Sequence, residues 1–321
     1  MQIISNPTQV EIRKAAQALK DGHLVAFPTE TVYGLGADAT NENAVSRVYS
    51  VKARPTDHPL IVHISSINQL VKWAIDIPEF AIKLAEEFWP GPMTLILKRS
   101  EIAKDFITGG QENVGVRVPS HPVALELLSE FEKLGGSGVA APSANRFGAV
   151  SPTTAAAVCE ELGKYLNSLD LILNGGQSSV GIESTIINCT IHEPAILRPG
   201  AVTQEMIVAA TKLDVLIKNQ NGIKTSGLFL AHYSPKAELT LGHQAREGEG
   251  FLALAEIPTP RGAIRLASPL NIEEFANQLY YAIRLGDSKG LKKICVLPPT
   301  GDGLAFAIRE RLNKSAKEIN I

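Results

Sequence analysis

Cysteine is scarce in this chain: Cys159, Cys189 and Cys295 lie far apart, and none belongs to a CxxC pair. Neither a disulfide framework nor a zinc knuckle is indicated, and a reducing cytoplasm fits best. Long apolar runs are missing too. No stretch is long enough to span a bilayer, and the opening MQIISNPTQVEIRK has no basic segment followed by an apolar one; secretion and membrane insertion are therefore not expected. A charge bias is also lacking, since the formal net charge is -2. Gripping nucleic acid over a broad face requires many Lys and Arg against phosphates, so that mode is disfavoured, while a local basic cleft stays open. There is no internal repeat and no low-complexity tract.

What is present is an ordinary globular composition, 45% hydrophobic and 20% charged, over 321 residues, enough for two cores. Up to about residue 210, short β-branched runs alternate with amphipathic stretches. LVAFPT, LIVHI, MTLILK, VGVRVP, GVAAPS, LILNGG and STIINC read as strands, and residues 8–20, 42–52, 78–88, 122–133, 153–165 and 203–213 as helices. This interleaving predicts a twisted α/β sheet covered by helices, mixed because several connections are too short for crossovers. Periodicity is lost near residue 215, so a first domain is expected over 1–214, a linker over 215–240 and a small α/β domain over 241–321. In the last, GEGFLALAEI and KKICVLPP read as strands, EEFANQLYYAIRLGD and GLAFAIRERLNKSA as helices.

Several short segments carry chemistry, each with a bland alternative. PTETVYGLG places Thr29 and Thr31 just past a strand end, where chains line ligand crevices. The alternative is a tight strand-to-helix turn. Lys52 and Arg54, two apart before Pro55, would point the same way in extended backbone and suit a triphosphate; equally, they are helix-end cations meeting the macrodipole. His58 and His63 flank PLIVHI without the spacing or partners of a metal site. Arg117 lies in the apolar VGVRVP, so its charge must face solvent or meet a partner, a substrate carboxylate being one candidate. Ser143, Asn145 and Ser151 gather polar groups suited to ribose or phosphate oxygens in APSANRFGAVSP, though such residues also simply make turns. GGQSSVGIEST has Ile182-Glu183 where a phosphate loop needs Lys-Ser/Thr, so it is not one; Ser184 opens the next strand and Arg198 closes another in LRPG.

Taken in order, PTETVYGLGADA, KARPxxHPLIVH, FWPGPMTLIL, VRVPSHP, APSAN, SPTTA, GIEST, LRPG and HYSPK resemble the threonylcarbamoyl-AMP synthase family, the YrdC-like proteins of tRNA modification. HYSPK and the tail resemble the longer form of that family. The resemblance implies a twisted α/β sheet with a deep basic concavity and a small Rossmann-like C-terminal domain, its linker folding over the site. It implies synthesis of threonylcarbamoyl-adenylate and pyrophosphate from ATP, L-threonine and bicarbonate or carbon dioxide, a nucleotidyltransferase reaction in the cytoplasm. Magnesium is expected to accompany ATP, held mostly by phosphate and water. Downstream partners would be the proteins that transfer threonylcarbamoyl to tRNA, and weak tRNA binding is compatible with the concavity. By the same resemblance Thr31, His63, Arg117, Ala141 and Ser184 match threonine-binding positions. Lys52, Arg54, His58, Ser143, Asn145, Ser151, Arg198 and Tyr233 match positions around ATP, Lys52 and Arg54 being the ones expected to carry the chemistry. Two other classes stay open: a non-catalytic module for transfer or double-stranded RNA, and a carbamoyl transferase acting on another acceptor.

Overall fold

The computed structural model describes residues 1–216, 222–225, 233–242 and 244–316. In chain order the first part runs β1 (Gln2–Ser5), α1 (Gln9–Lys20), β2 (Val25–Phe27), β3 (Gly34–Asp38), α2 (Glu42–Lys52), β4 (Ile61–His63), α3 (Leu70–Trp73) and α4 (Glu79–Phe88). It continues through β5 (Met93–Lys98), α5 (Asp105–Thr108), β6 (Asn113–Arg117), α6 (Pro122–Lys133), β7 (Val139–Ala140), α7 (Ala155–Leu162), β8 (Leu171–Asn174), β9 (Thr185–Asn188), β10 (Ala195–Arg198) and α8 (Gln204–Thr211). The remainder supplies β11 (Glu238–Leu241), β12 (Gly250–Leu252), β13 (Ile264–Ala267), α9 (Ile272–Ser288), β14 (Lys293–Val296) and α10 (Leu304–Ala316).

Ten strands form one mixed sheet in the order β1-β8-β2-β3-β7-β4-β6-β5-β9-β10. Strand alternation gives this sheet two apolar faces. Val25 and Phe27 join Ile12, Leu19, Leu127 and Phe131 of α1 and α6 on one side, while Leu24 and Ala26 belong to the cluster that contains Val45, Leu84 and Val158 of α2, α4 and α7. The expected α/β class and mixed pairing are both found: β4 runs parallel to β6, whereas β5 and β6 are antiparallel.

One of the bland alternatives is excluded. PTETVYGLG does not turn from strand to helix, because GLGAD itself forms β3 and pairs antiparallel with β2. Gly36 makes this close packing possible, since a Cβ there would lie 2.8 Å from both the Phe27 ring and the Val139 side chain. A glycine-rich strand carries no apolar alternation, so its pattern reads as a loop.

The second sheet is all-parallel, in the order β11-β14-β12-β13. Its core is built from Leu252, Phe275, Leu279, Ile283, Ile294, Ile308 and Leu312, and the same cluster takes in Val32, Val150, Ile182 and Tyr233. The small α/β unit therefore packs against loops that leave the large sheet. Of residues 215–240, expected to form a linker, 217–221 and 226–232 lie outside the described residues, and β11 begins at Glu238.

Candidate active site

Loops leaving the large sheet converge with the turn after α2 on a cleft. Among the expected residues, Thr31, His63, Arg117, Ala141 and Ser184 line it, and so do Arg54, Ser143, Arg198 and Tyr233. Lys52, His58, Asn145 and Ser151 do not line it; Lys52, His58 and Ser151 contact the lining residues Ser143, Arg54 and Glu183, and Asn145 accepts from Lys52.

Strand register builds one end. His63 and Arg117 are partners across the parallel β4–β6 pair, so their side chains leave the same face side by side. Arg117 meets the partner its burial demands: Nη2 donates to Glu30 Oε1 at 2.6 Å, and Nε donates to the Gly91 carbonyl at 3.2 Å. The other Glu30 oxygen accepts from the Ser120 amide at 3.0 Å. Glu30, which does not stand out among the hydroxyls of PTETVYGLG, thus supplies a counter-charge to Arg117. Burial, followed by the nearby Arg117 charge, pushes the His63 imidazole down to about 3, leaving it neutral. Its Nδ1 is buried and has no hydrogen-bond partner among the described residues. Thr29 and Thr31 share a 2.8 Å hydroxyl hydrogen bond, and Thr29 also donates to the Val32 carbonyl at 2.6 Å, which fixes the loop after β2.

Capping and turn chemistry build the other end. Asn41 caps α2 by accepting from the Ala44 amide, and Ala53 ends the helix in the left-handed region at φ 50°. That turn overturns the extended geometry expected for Lys52 and Arg54 and sends them apart. Pro55 disfavours helix only at Arg54, so it does not prevent Ala53 from closing the helix. Arg54 reaches the cleft, with Nη2 donating to the Pro59 carbonyl at 2.9 Å and Nε to that of His58 at 3.2 Å. Burial holds its guanidinium down to about 10. Lys52 instead donates to the Ser143 and Asn145 carbonyls, holding the APSAN turn from behind. Burial, then the neighbouring Arg54 charge, lowers its ammonium well below the usual lysine range. Asn145 braces the same turn, its amide donating to the Arg146 and Ala149 carbonyls at 2.8 Å each. His58 packs edge-on against Phe147 at 5.2 Å.

Arg198 closes the far wall. Its Nε donates to the Ser184 carbonyl at 2.9 Å and its Nη2 to Ser184 Oγ at 3.0 Å, while Ser184 Oγ also shares a hydrogen bond with Thr94 at 2.8 Å. Glu183, one residue earlier, lines the cleft but was passed over once GIEST failed as a phosphate loop. Its carboxylate accepts from Ser151 Oγ at 2.6 Å, from Tyr280 OH at 2.9 Å and from Arg311 Nε at 2.9 Å. Burial pushes this acid up, but the Arg311 and Arg198 charges and the hydrogen bonds outweigh it and bring it to about 2. Tyr233 is buried above this group, stacked on Tyr280 at 5.6 Å with the Arg311 guanidinium 5.8 Å from its ring.

Chemically the cleft offers guanidinium groups and hydroxyls suited to anionic oxygens, with the Glu183 carboxylate in its wall. Among the described residues no group of three or more His, Cys, Asp or Glu side chains could hold a metal ion. No helix among them is long and apolar enough to cross a membrane.

Residues 17–200 match the telomere recombination family of Sua5, YciO and YrdC proteins, and residues 202–317 match the C-terminal domain family of threonylcarbamoyl-AMP synthase. The threonylcarbamoyl-AMP synthase of Pyrococcus abyssi is 38% identical over 326 residues, spanning 95% of this chain and 94% of its own. That of Bacillus subtilis is 38% identical over 330 residues, spanning 95% and 93%. Among solved structures, P. abyssi Sua5 complexed with L-threonine matches with a TM-score of 0.87 at 36% identity, covering 98% of this chain and 97% of that one. E. coli YciO, at 24% identity and a TM-score of 0.53 over 62% of this chain and 95% of its own, shares the fold.

Proposed function

The chain belongs to the threonylcarbamoyl-AMP synthase family, and on that premise we propose that it joins L-threonine, bicarbonate or carbon dioxide, and ATP into threonylcarbamoyl-AMP with release of pyrophosphate. The observation that carries the reading is the convergence of Arg54, Arg117, Arg198 and a neutral His63 on one cleft with Thr31 and Ser184.

Threonine fits the end built on β4 and β6. Arg117 keeps Nη1 clear of hydrogen bonds among the described residues, so it can receive the substrate carboxylate while Glu30 balances its charge. The unpartnered His63 nitrogen suits the amine or hydroxyl, and Thr31, Ala141 and Ser184 bound the side chain. The nucleotide fits the opposite end, with Arg54 and Arg198 on phosphate oxygens and Ser143 near the sugar. Lys52, His58, Asn145 and Ser151 act on it through the turns they hold, and Tyr233 covers it.

The neutral amine of threonine first attacks the carbon of the one-carbon substrate, giving a carbamate: addition to carbon dioxide passes one N–H proton to water, whereas reaction with bicarbonate releases water. A carbamate oxygen then forms a bond to the α-phosphorus while the bond from that phosphorus to the bridging oxygen breaks, its electron pair leaving on pyrophosphate. Neither step needs a covalent protein intermediate. Catalysis rests on alignment and on compensating phosphate charge in a water-poor cleft. Magnesium would accompany the triphosphate, held by phosphate oxygens and water and neutralising part of their charge. The product would pass to proteins that transfer threonylcarbamoyl to tRNA in the cytoplasm.

The test is incubation with labelled ATP, threonine and bicarbonate. Pyrophosphate and threonylcarbamoyl-AMP should appear only when all three are present. Tight tRNA binding with no adenylate formed would instead identify a non-catalytic RNA module.

A further inference from the structure

Arg311 is fully buried, yet it belongs to α10 of the small unit and its guanidinium reaches the wall of the cleft. Its Nε donates to Glu183 Oε2 at 2.9 Å, and its Nη2 donates to the Pro199 carbonyl at 2.8 Å, immediately after Arg198. One residue of the small unit thereby touches the two chain segments that carry Ser184 and Arg198. The approach is supported all along this seam. Asn277 donates to the Ser178 carbonyl at 2.7 Å and the Ser179 carbonyl at 3.0 Å. Gly181, at φ 84°, lets the loop pass so near α9 that a Cβ would lie 2.5 Å from the Ala276 carbonyl oxygen.

The charges explain why an arginine is needed there. Glu183 places a carboxylate on a cleft whose proposed ligand is a triphosphate. The other cation acting on that carboxylate is Arg198, itself proposed to hold phosphate. Without Arg311, a bare carboxylate on the cleft wall would repel the nucleotide, and the turn after Arg198 would lose its hold.

We propose that Arg311 is a positioning residue for ATP: by binding Glu183 and the Pro199 carbonyl it neutralises the carboxylate and fixes the chain segment that carries Arg198. The small unit thus completes the electrostatics of the nucleotide end without touching the substrate. This inference rests on the nucleotide being bound as proposed above.

The test compares Arg311→Met with the double variant Glu183→Gln/Arg311→Met, reading ATP affinity by calorimetry, ATP KM and kcat by pyrophosphate release, and threonine affinity as a control. Arg311→Met should weaken ATP affinity and raise its KM by at least about tenfold, with kcat at saturating ATP and threonine affinity little changed. Adding Glu183→Gln should restore most of the ATP affinity, because no carboxylate is left to repel the nucleotide. A merely structural role would lower both affinities together, and the second substitution would not rescue them. If Arg311→Met does not fold, the double variant is compared directly with the wild type and with Arg311→Lys, which keeps the charge. ATP affinity near the wild-type value in both supports the proposal; weak ATP binding in a folded double variant overturns it, as does unchanged ATP affinity in a folded Arg311→Met. A wild-type protein that binds ATP but makes no threonylcarbamoyl-AMP would sink the proposed reaction, while the affinity comparison would still decide the role of Arg311.

Discussion

The two ends of the cleft are made rigid in different ways. At the His63–Arg117 end, geometry comes from strand register, with adjacent parallel strands presenting both side chains and the nearby Glu30 supplying the counter-charge. At the Arg54–Arg198 end, the side chains sit on turns and strand ends, held by Lys52 behind one turn and by Arg311 of the small unit behind the other. A register-built site needs only its own sheet. A turn-built site needs distant residues to hold it, and those residues become part of function without meeting substrate.

Breaking the sheet-built end should produce the largest loss of stability. Glu30→Gln leaves Arg117, 4% exposed, with a buried charge lacking its counter-ion. Removing one member of such a pair costs about 3–5 kcal/mol, to be read from denaturant unfolding. Loss within the noise of the measurement would mean that water or another group compensates Arg117. At the other end, Arg54→Ala should lower threonine-dependent pyrophosphate release by roughly a hundred- to a thousandfold, with the fold and threonine affinity retained. Full turnover in a folded variant would remove Arg54 from the reaction. Lys52→Met should do both kinds of damage more mildly, since it strands the Ser143 and Asn145 carbonyls in a buried site. A stability loss of about 1–3 kcal/mol with raised ATP KM is expected. Raised KM without any loss of stability would argue that Lys52 meets phosphate directly.

Elements are legible in the sequence wherever periodicity carries the signal, and hidden where it does not. Residues 122–133 read as a helix and form α6, MTLILK reads as a strand and forms β5, and EEFANQLYYAIRLGD falls within α9. GLGAD was missed because a strand made possible by missing side chains shows no alternation. Most cleft-lining residues were legible from their motifs, but their counter-charges were not. Arg117 in an apolar strand announced that it needed a partner. Glu183, between Ile182 and Ser184 before an apolar strand, announced the same thing and was passed over once its loop failed a phosphate-loop pattern. Arg311 was beyond reach: it reads as one more charge on an amphipathic helix, and only the packing of α10 against the turns shows that it faces inward.

Acid should separate the two ends, with the smallest effect of the series. In the folded chain His63 sits near 3, against 6.5 for an ordinary imidazole, because burial and Arg117 oppose its protonation. The unfolded chain therefore binds the extra proton across that interval, and stability rises with pH there. The His63 contribution is fully present above 6.5 and is lost as pH falls from 6.5 towards 3. Glu183, brought to about 2 from 4.5, contributes fully above 4.5 and loses its contribution only as pH falls towards 2. Mild acid should thus strain the sheet-built end while the Glu183–Arg311 contact still holds. From pH 7.5 to 5.5 the His63 share of the loss is on the order of 1 kcal/mol. His58 and His121, also lowered chiefly by burial, add to the slope. Their contribution stays in a His63→Gln variant, so the difference between the wild-type and variant slopes isolates His63. Parallel slopes would show that His63 is not held neutral, and would remove the imidazole acceptor proposed for threonine.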